Sequence, residues 1–201
     1  GEQSWQAQAW IWAVGLIELL ALLEVGTFLL IMSRINTLSL EHATDATRPL
    51  LEGVQKKIGF LPNMFKTLIH APAVLTSYLQ QSATLGKTSL SAVEKEVIAL
   101  ATSQVNGCDY CLSAHSFFAG KAGMSAQDIL AARHGQLDAV AILARQITES
   151  RGRLANEQLE AARAAGIDDS KIIEVIAQVA SMTLTNYLNN VAQTEIDFPV
   201  A

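Results

Sequence analysis

The sequence predicts an all-α fold, and three observations carry that expectation. Apolar residues recur at helical spacing in nearly every stretch after residue 32. Capping residues and glycine stops punctuate those stretches. No alternating β-branched run reads as a strand, so no sheet is expected.

The chain divides in two, with an apolar N-terminal segment over 1–32 and a helical domain over 33–201. Trp10 to Met32 is nearly all apolar and reaches the length of about 20 residues that spans a bilayer. Trp5, Trp10 and Trp12 would form a belt at one interface, and Arg34 flanks the other end. Glu18 and Glu24 count against a span, since a central acidic charge costs roughly 2.5–3.5 kcal/mol. No basic residue precedes the run, so it does not fit a secretory signal. Met32-Ser33-Arg34 reads as an ordinary protein start and Gly1 as a scar of tag cleavage, so residues 1–31 are expected to be a fused peptide. A membrane anchor and a helix that contacts other subunits are the alternatives.

Helical spacing then runs from Thr44 to Lys57 and stops at Gly59. Pro62 suits the first position of a short helix carrying Met64, Phe65, Leu68 and Ile69. Pro72 opens another, ending at Gly86. Ser91 and Glu94 form an S-x-x-E capping box ahead of Val97, Ile98, Leu100 and Ala101. Asn106 is expected to cap the helix that follows, with Asp109 well placed in its first turn. Ser125 caps a short helix to Gly135, Asp138 opens one to Ser150, and Asn156 one to Ala165. Asp168 caps a long last helix through Tyr187, leaving Phe198-Pro199 beyond it.

The stretch Glu96–His115 holds both cysteines of the molecule. Cys108 and Cys111 are i,i+3, and Cys111 and His115 are i,i+4, so all three share one helix face. In an antiparallel hairpin with the preceding helix, Glu96 lies roughly 14 Å from the turn and His115 roughly 12 Å, nearly level. That arrangement forms a proton relay from Glu96 through His115 to Cys111. It suits thiol redox chemistry, because a helix N-terminus and a neighbouring imidazolium both lower a cysteine pKa. A thiolate at Cys111 can attack a peroxide oxygen, and Cys108 can resolve the sulfenic acid to a disulfide. An external dithiol would reset the pair.

Composition narrows the classes. The net charge of −5 and the absence of a basic cluster leave nucleic-acid binding nothing electrostatic to rest on. Two cysteines in a single C-x-x-C differ from a secreted disulfide framework and point to a reducing, cytoplasmic compartment. Membrane association is expected only if residues 10–32 are a native anchor. A structural zinc site wants four ligands and the motif offers three, so no metal and no cofactor beyond a Cys108-Cys111 disulfide is expected. A thioredoxin-like reading needs a βαβ context that the pattern lacks.

Glu, eleven residues, Cys-x-x-Cys, three residues, His resembles the signature of the AhpD-like alkylhydroperoxidases, within the carboxymuconolactone decarboxylase superfamily. Glu96, Cys108, Cys111 and His115 match it in place, and the likeness runs over about Ser33 to Ala201, including IGFLPNMF and NYLNNVAQTEIDFP. The resemblance implies an AhpD-like helical bundle with the C-x-x-C at the start of a helix in a central antiparallel hairpin. It implies that Cys111 is peroxidatic, that Cys108 resolves, and that Glu96 and His115 relay protons. It also implies a lipoyl- or thioredoxin-like dithiol reductant, a hydroperoxide substrate, and a homo-oligomer, a trimer or homohexamer. Tyr110 departs from the pattern, standing where well-known members carry a His. It can donate a hydrogen bond near the thiols or simply pack. Phe117, Phe118 and Met124 are expected in the core or at a subunit contact, and His42, His70 and His134 are expected to be structural. A thiol–disulfide oxidoreductase or redox sensor without peroxide turnover uses the same pair. A carboxymuconolactone decarboxylase would have no use for it.

Overall fold

Helix caps and stops set the element order. The computed structural model describes residues 33–200, and Arg34 onward forms one unit. The apolar segment over residues 1–32, with the anchor reading attached to it, lies outside the described residues. Among the described residues there are nine α-helices and no strand.

After a 3-10 turn at Leu40–His42, α1 spans Arg48–Ile58, α2 Asn63–Leu68, α3 Pro72–Leu85 and α4 Ala92–Val105. Then come α5 at Asp109–Lys121, α6 at Ala126–Arg133, α7 at Ala139–Ser150, α8 at Asn156–Ala164 and α9 at Asp169–Ala192. Among the described residues, no helix is long and apolar enough to cross a membrane.

Local chemistry explains the boundaries. The Ser91/Glu94 capping box closes in both directions, at 3.1 and 2.8 Å. Ser125, Asp138 and Asp168 each accept a backbone N–H at the start of α6, α7 and α9. Gly59 ends α1 at φ 99°, a left-handed geometry suited to glycine. The first helix is shorter than its spacing suggests. Thr44–Thr47 forms a turn held by the threonine hydroxyls at 2.9 Å, a local bond that competes with helix, and Pro49 fits the first turn of α1.

Helix α4 is the axis of the unit, packing against α5, α6, α7 and α9. Val97, Ile98, Leu100 and Ala101 are fully buried in one apolar core with residues of α7 and α9. A second core joins α1–α3 to the start of α5, and it contains Cys108, Tyr110, Cys111, Ala114 and Phe198. The cysteines therefore lie within this second core, away from solvent.

Candidate active site

The turn Asn106-Gly107 positions the first cysteine. Gly107 takes φ 61°, and the extended residue ahead of α5 is Cys108, whose Sγ accepts the Cys111 N–H at 3.4 Å. The cap is thus the thiol itself, where the sequence pattern pointed to Asn106. Asn106 instead closes α4, and its amide donates to Asn186 Oδ1 at 2.9 Å.

The two thiols have different surroundings. Cys108 is completely buried, whereas Cys111 is 3% exposed and lines a cavity of about 900 Å³ that Cys108 does not reach. The Cys108 thiol donates a hydrogen bond to Cys111, and Asn189 Nδ2 approaches its Sγ at 3.3 Å. Together with the His115 charge these donors outweigh burial and hold Cys111 at about 6. At neutral pH it is mainly a thiolate, the reactive form. Cys108 is pushed the opposite way, first by donating to Cys111 and then by burial, and stays a thiol.

Helices α4 and α5 bring Glu96 and His115 together, with Glu96 Oε2 2.7 Å from His115 Nδ1. Their side chains are 20% and 24% exposed, and both line the cavity. Burial alone would lower the His115 pKa, but the Glu96 carboxylate reverses it and raises the value. The imidazolium thus persists further toward neutral pH beside a thiolate. Glu94 is occupied elsewhere, in the capping box and in an ion pair with Lys171.

Tyr110 does not reach the thiols by hydrogen bond. Its hydroxyl donates to Asp197 Oδ1 at 2.8 Å and accepts from Met64 N–H at 3.2 Å. Asp197 also accepts Asn63 N–H at 2.7 Å, capping α2 from the far end of the chain because Pro62 has no capping side chain. This strap seats Phe198 among Phe60, Tyr110, Phe117 and Phe118, with centroids 5.3–5.9 Å apart. Phe118 is a cavity wall, not only a core residue, because its ring lies beside His115 on the open side of α5. Phe117 packs on Phe198 and under Lys121. Met124 packs against the core. His42 bonds Ser39 and His70 bonds the Asn36 carbonyl, while the His134 carbonyl accepts from Arg145. None of these three histidines lines the cavity.

Sequence reasoning missed three further residues of the site. Asn186 and Asn189 reach the cysteine turn from α9. Asn186 is fully buried, donating to Ser103 Oγ at 3.0 Å. Polar residues of poor helix propensity inside an apolar helix were the available signal. Tyr78 of α3 lines the cavity, and burial, Cys111 and Glu96 push its phenol up to about 12, so it stays a neutral donor. Among the described residues no three His, Cys, Asp or Glu side chains converge to hold a metal ion.

Comparison with known proteins agrees with this architecture. The carboxymuconolactone decarboxylase family matches residues 71–149, covering α3 to α7. No curated protein matches the chain. An alkylhydroperoxidase AhpD core protein from Ralstonia eutropha JMP134, described as peroxidase-related, superposes with TM-score 0.74 and 25% identity over 83% of this chain and 93% of that one. The debrominase Bmp8, in complex with 2,3,4-tribromopyrrole, shares the fold at TM-score 0.70 and 21% identity over 81% of this chain and 91% of its own. A peroxidase-related protein from Silicibacter sp. TM1040 gives TM-score 0.68 and 22% identity over 81% and 92%. The all-helical bundle is similar to the AhpD core fold, and residues 71–149 within it match the carboxymuconolactone decarboxylase family.

Proposed function

We propose that the chain is a thiol-dependent peroxidase that reduces hydroperoxides through Cys111 and Cys108. The observation that supports this best is the asymmetry of the pair. The low-pKa thiol faces the cavity beside a His–Glu pair, and the second thiol lies behind it. The Cys111 thiolate attacks the terminal peroxide oxygen, the O–O bond breaks, and the alkoxide takes a proton from the His115 imidazolium and leaves as an alcohol. Cys108 then attacks the sulfenic sulfur, water leaves, and a disulfide forms. A lipoyl- or thioredoxin-like dithiol returns the pair to two thiols, so that one hydroperoxide and one dithiol give an alcohol, water and a disulfide.

The test is hydroperoxide consumption with dihydrolipoamide as reductant. Turnover by the unaltered protein, lost in both Cys111→Ser and Cys108→Ser, is the expected result. A pair that exchanges with dithiols but consumes no peroxide would defeat the proposal in favour of a thiol–disulfide enzyme or sensor.

The aromatic walls Phe65, Tyr78 and Phe118 favour one second reading, a debromination like that of the structurally similar debrominase Bmp8. There the same two thiols would convert an aryl bromide to the parent arene, a disulfide and hydrogen bromide. Bromide release from tribromopyrrole decides between the two.

A homo-oligomer belongs to the proposal, because Ile173, Ile176, Ala180, Leu184, Tyr187 and Val191 form one exposed stripe along α9. At 100° per residue they fall within about 80° of the helix surface, opposite its buried face. Exposures of 43–65% for the five large side chains support a helix–helix contact with a second copy.

A further inference from the structure

We infer that the cavity over Cys111 takes an amphipathic hydroperoxide with an anionic end, a long-chain carboxylate, whose head is held by Lys57, Lys87 and Lys121. The inference rests on the peroxidase reading for its chemistry, not for its binding.

Size comes first. A volume of about 900 Å³ is some thirty times the share of one water in the liquid, far more than hydrogen peroxide would fill. It lies at the upper end of pockets that enclose organic ligands. The walls are mainly apolar and include Leu50, Val54, Ile58, Leu79, Phe65 and Phe118. A hydrocarbon chain would be stabilised there by burial, at about 0.8 kcal/mol per methylene.

Charge then selects the end group. The chain is acidic overall, with 19 acidic against 14 basic residues, yet the cavity lining reverses that balance. Three lysines line it, and its one carboxylate, Glu96, is already hydrogen-bonded to His115. Lys57, Lys87 and Lys121 are exposed, and none forms an ion pair among the described residues. Each sits at or just beyond a helix C-terminus, where the dipole favours a cation. That preference explains a lysine at each site but not the placing of three, from α1, the turn after α3 and the end of α5, along one cavity. A lysine's aliphatic stem can extend an apolar wall while its charged head reaches the rim, and the Lys121 ammonium lies 4.3 Å over the Phe117 ring, where it keeps its charge. An apolar pocket with a thiolate inside and cations at its mouth fits a molecule that is apolar in the middle and anionic at one end.

Isothermal titration of the full chain with ricinoleate and with its methyl ester, each below its micelle concentration, tests the charge preference. The acid is expected to bind about fivefold tighter at low salt. That advantage should shrink as salt screens it, vanish in K57Q/K87Q/K121Q and survive in K57R/K87R/K121R. Equal affinity for acid and ester overturns the inference, as does a preference retained in the glutamine triple. An effect of that triple on the KM of a protein-borne dithiol, with acid and ester bound alike, also overturns it, since the lysines would then dock the reductant. Turnover of linoleic acid hydroperoxide methyl ester is read separately. If that fails while the charge preference holds, only the peroxidase reading falls.

Discussion

Replacing Cys108 by alanine tests how the reactive thiolate is made. The Cys108 thiol is the leading donor to Cys111, whose pKa it helps bring from 9.0 to about 6. That difference corresponds to about 4 kcal/mol of preference for the thiolate. A hydrogen bond to a charged group accounts for about 1.5–3 kcal/mol of such a preference. Its loss in Cys108→Ala should therefore raise the Cys111 midpoint by about one to two pH units. At pH 7 the thiolate fraction would fall from roughly nine-tenths to between about a half and a tenth. Cys108→Ser keeps an O–H donor and a capping oxygen, so it should lie closer to the unaltered protein. The assay is the pH dependence of iodoacetamide alkylation at Cys111, followed by mass spectrometry. A Cys108→Ala midpoint equal to that of the unaltered protein would refute the reasoning and leave Asn189 and His115 as the source of the shift.

Three further outcomes follow from the same contacts. The pH profile of kcat/KM should rise through about 6 as Cys111 ionises and fall as His115 loses its proton. Because Glu96 raises the His115 pKa, Glu96→Gln should draw the falling limb to lower pH, and an unmoved alkaline limb would show that the carboxylate does not govern the imidazole. Asn186→Ala strands the buried Ser103 hydroxyl and Asn106 amide, at a cost of about 2–3 kcal/mol, so thermal melting should drop by about 5–10 °C. A drop near zero would mean that these groups find other partners. If α9 carries the proposed contact, Leu184→Glu with Tyr187→Glu places charge in its apolar stripe, and light scattering should show a smaller particle than the unaltered protein. Unchanged mass would move the interface elsewhere.

Much of this was legible in the sequence because it is local. The Ser91/Glu94 box, the Ser125, Asp138 and Asp168 caps and the Gly59 stop depend on residues three or four apart. The Glu96–His115 pairing follows from counting residue heights on two joined helices, and the side chains meet at 2.7 Å. The rest depends on separations that no window spans. Asn189 meets Cys111 from 78 residues away, and Tyr110 meets Asp197 from 87. The Asn106 expectation failed for a different reason. Asparagine is the better-known cap, but left-handed Gly107 leaves Cys108 as the extended residue, and its sulfur accepts the N–H. Phe118 lies on a helix whose apolar residues surround it, so periodicity could not separate core from cavity wall.

The central claim, that Cys111 in its cavity is a peroxide-reactive thiolate, is tested most directly in Cys108→Ser, where the sulfenic acid cannot be resolved. The second-order rate of sulfenic acid formation with an organic hydroperoxide should be measured at pH 7, with a dimedone-type trap identifying the site. The account predicts trapping at Cys111 at least about a hundredfold faster than free cysteine at equal thiolate fraction, the low end of what positioned acid–base groups contribute. A rate no greater than that of free cysteine would contradict it, leaving a low-pKa thiol without a peroxidase.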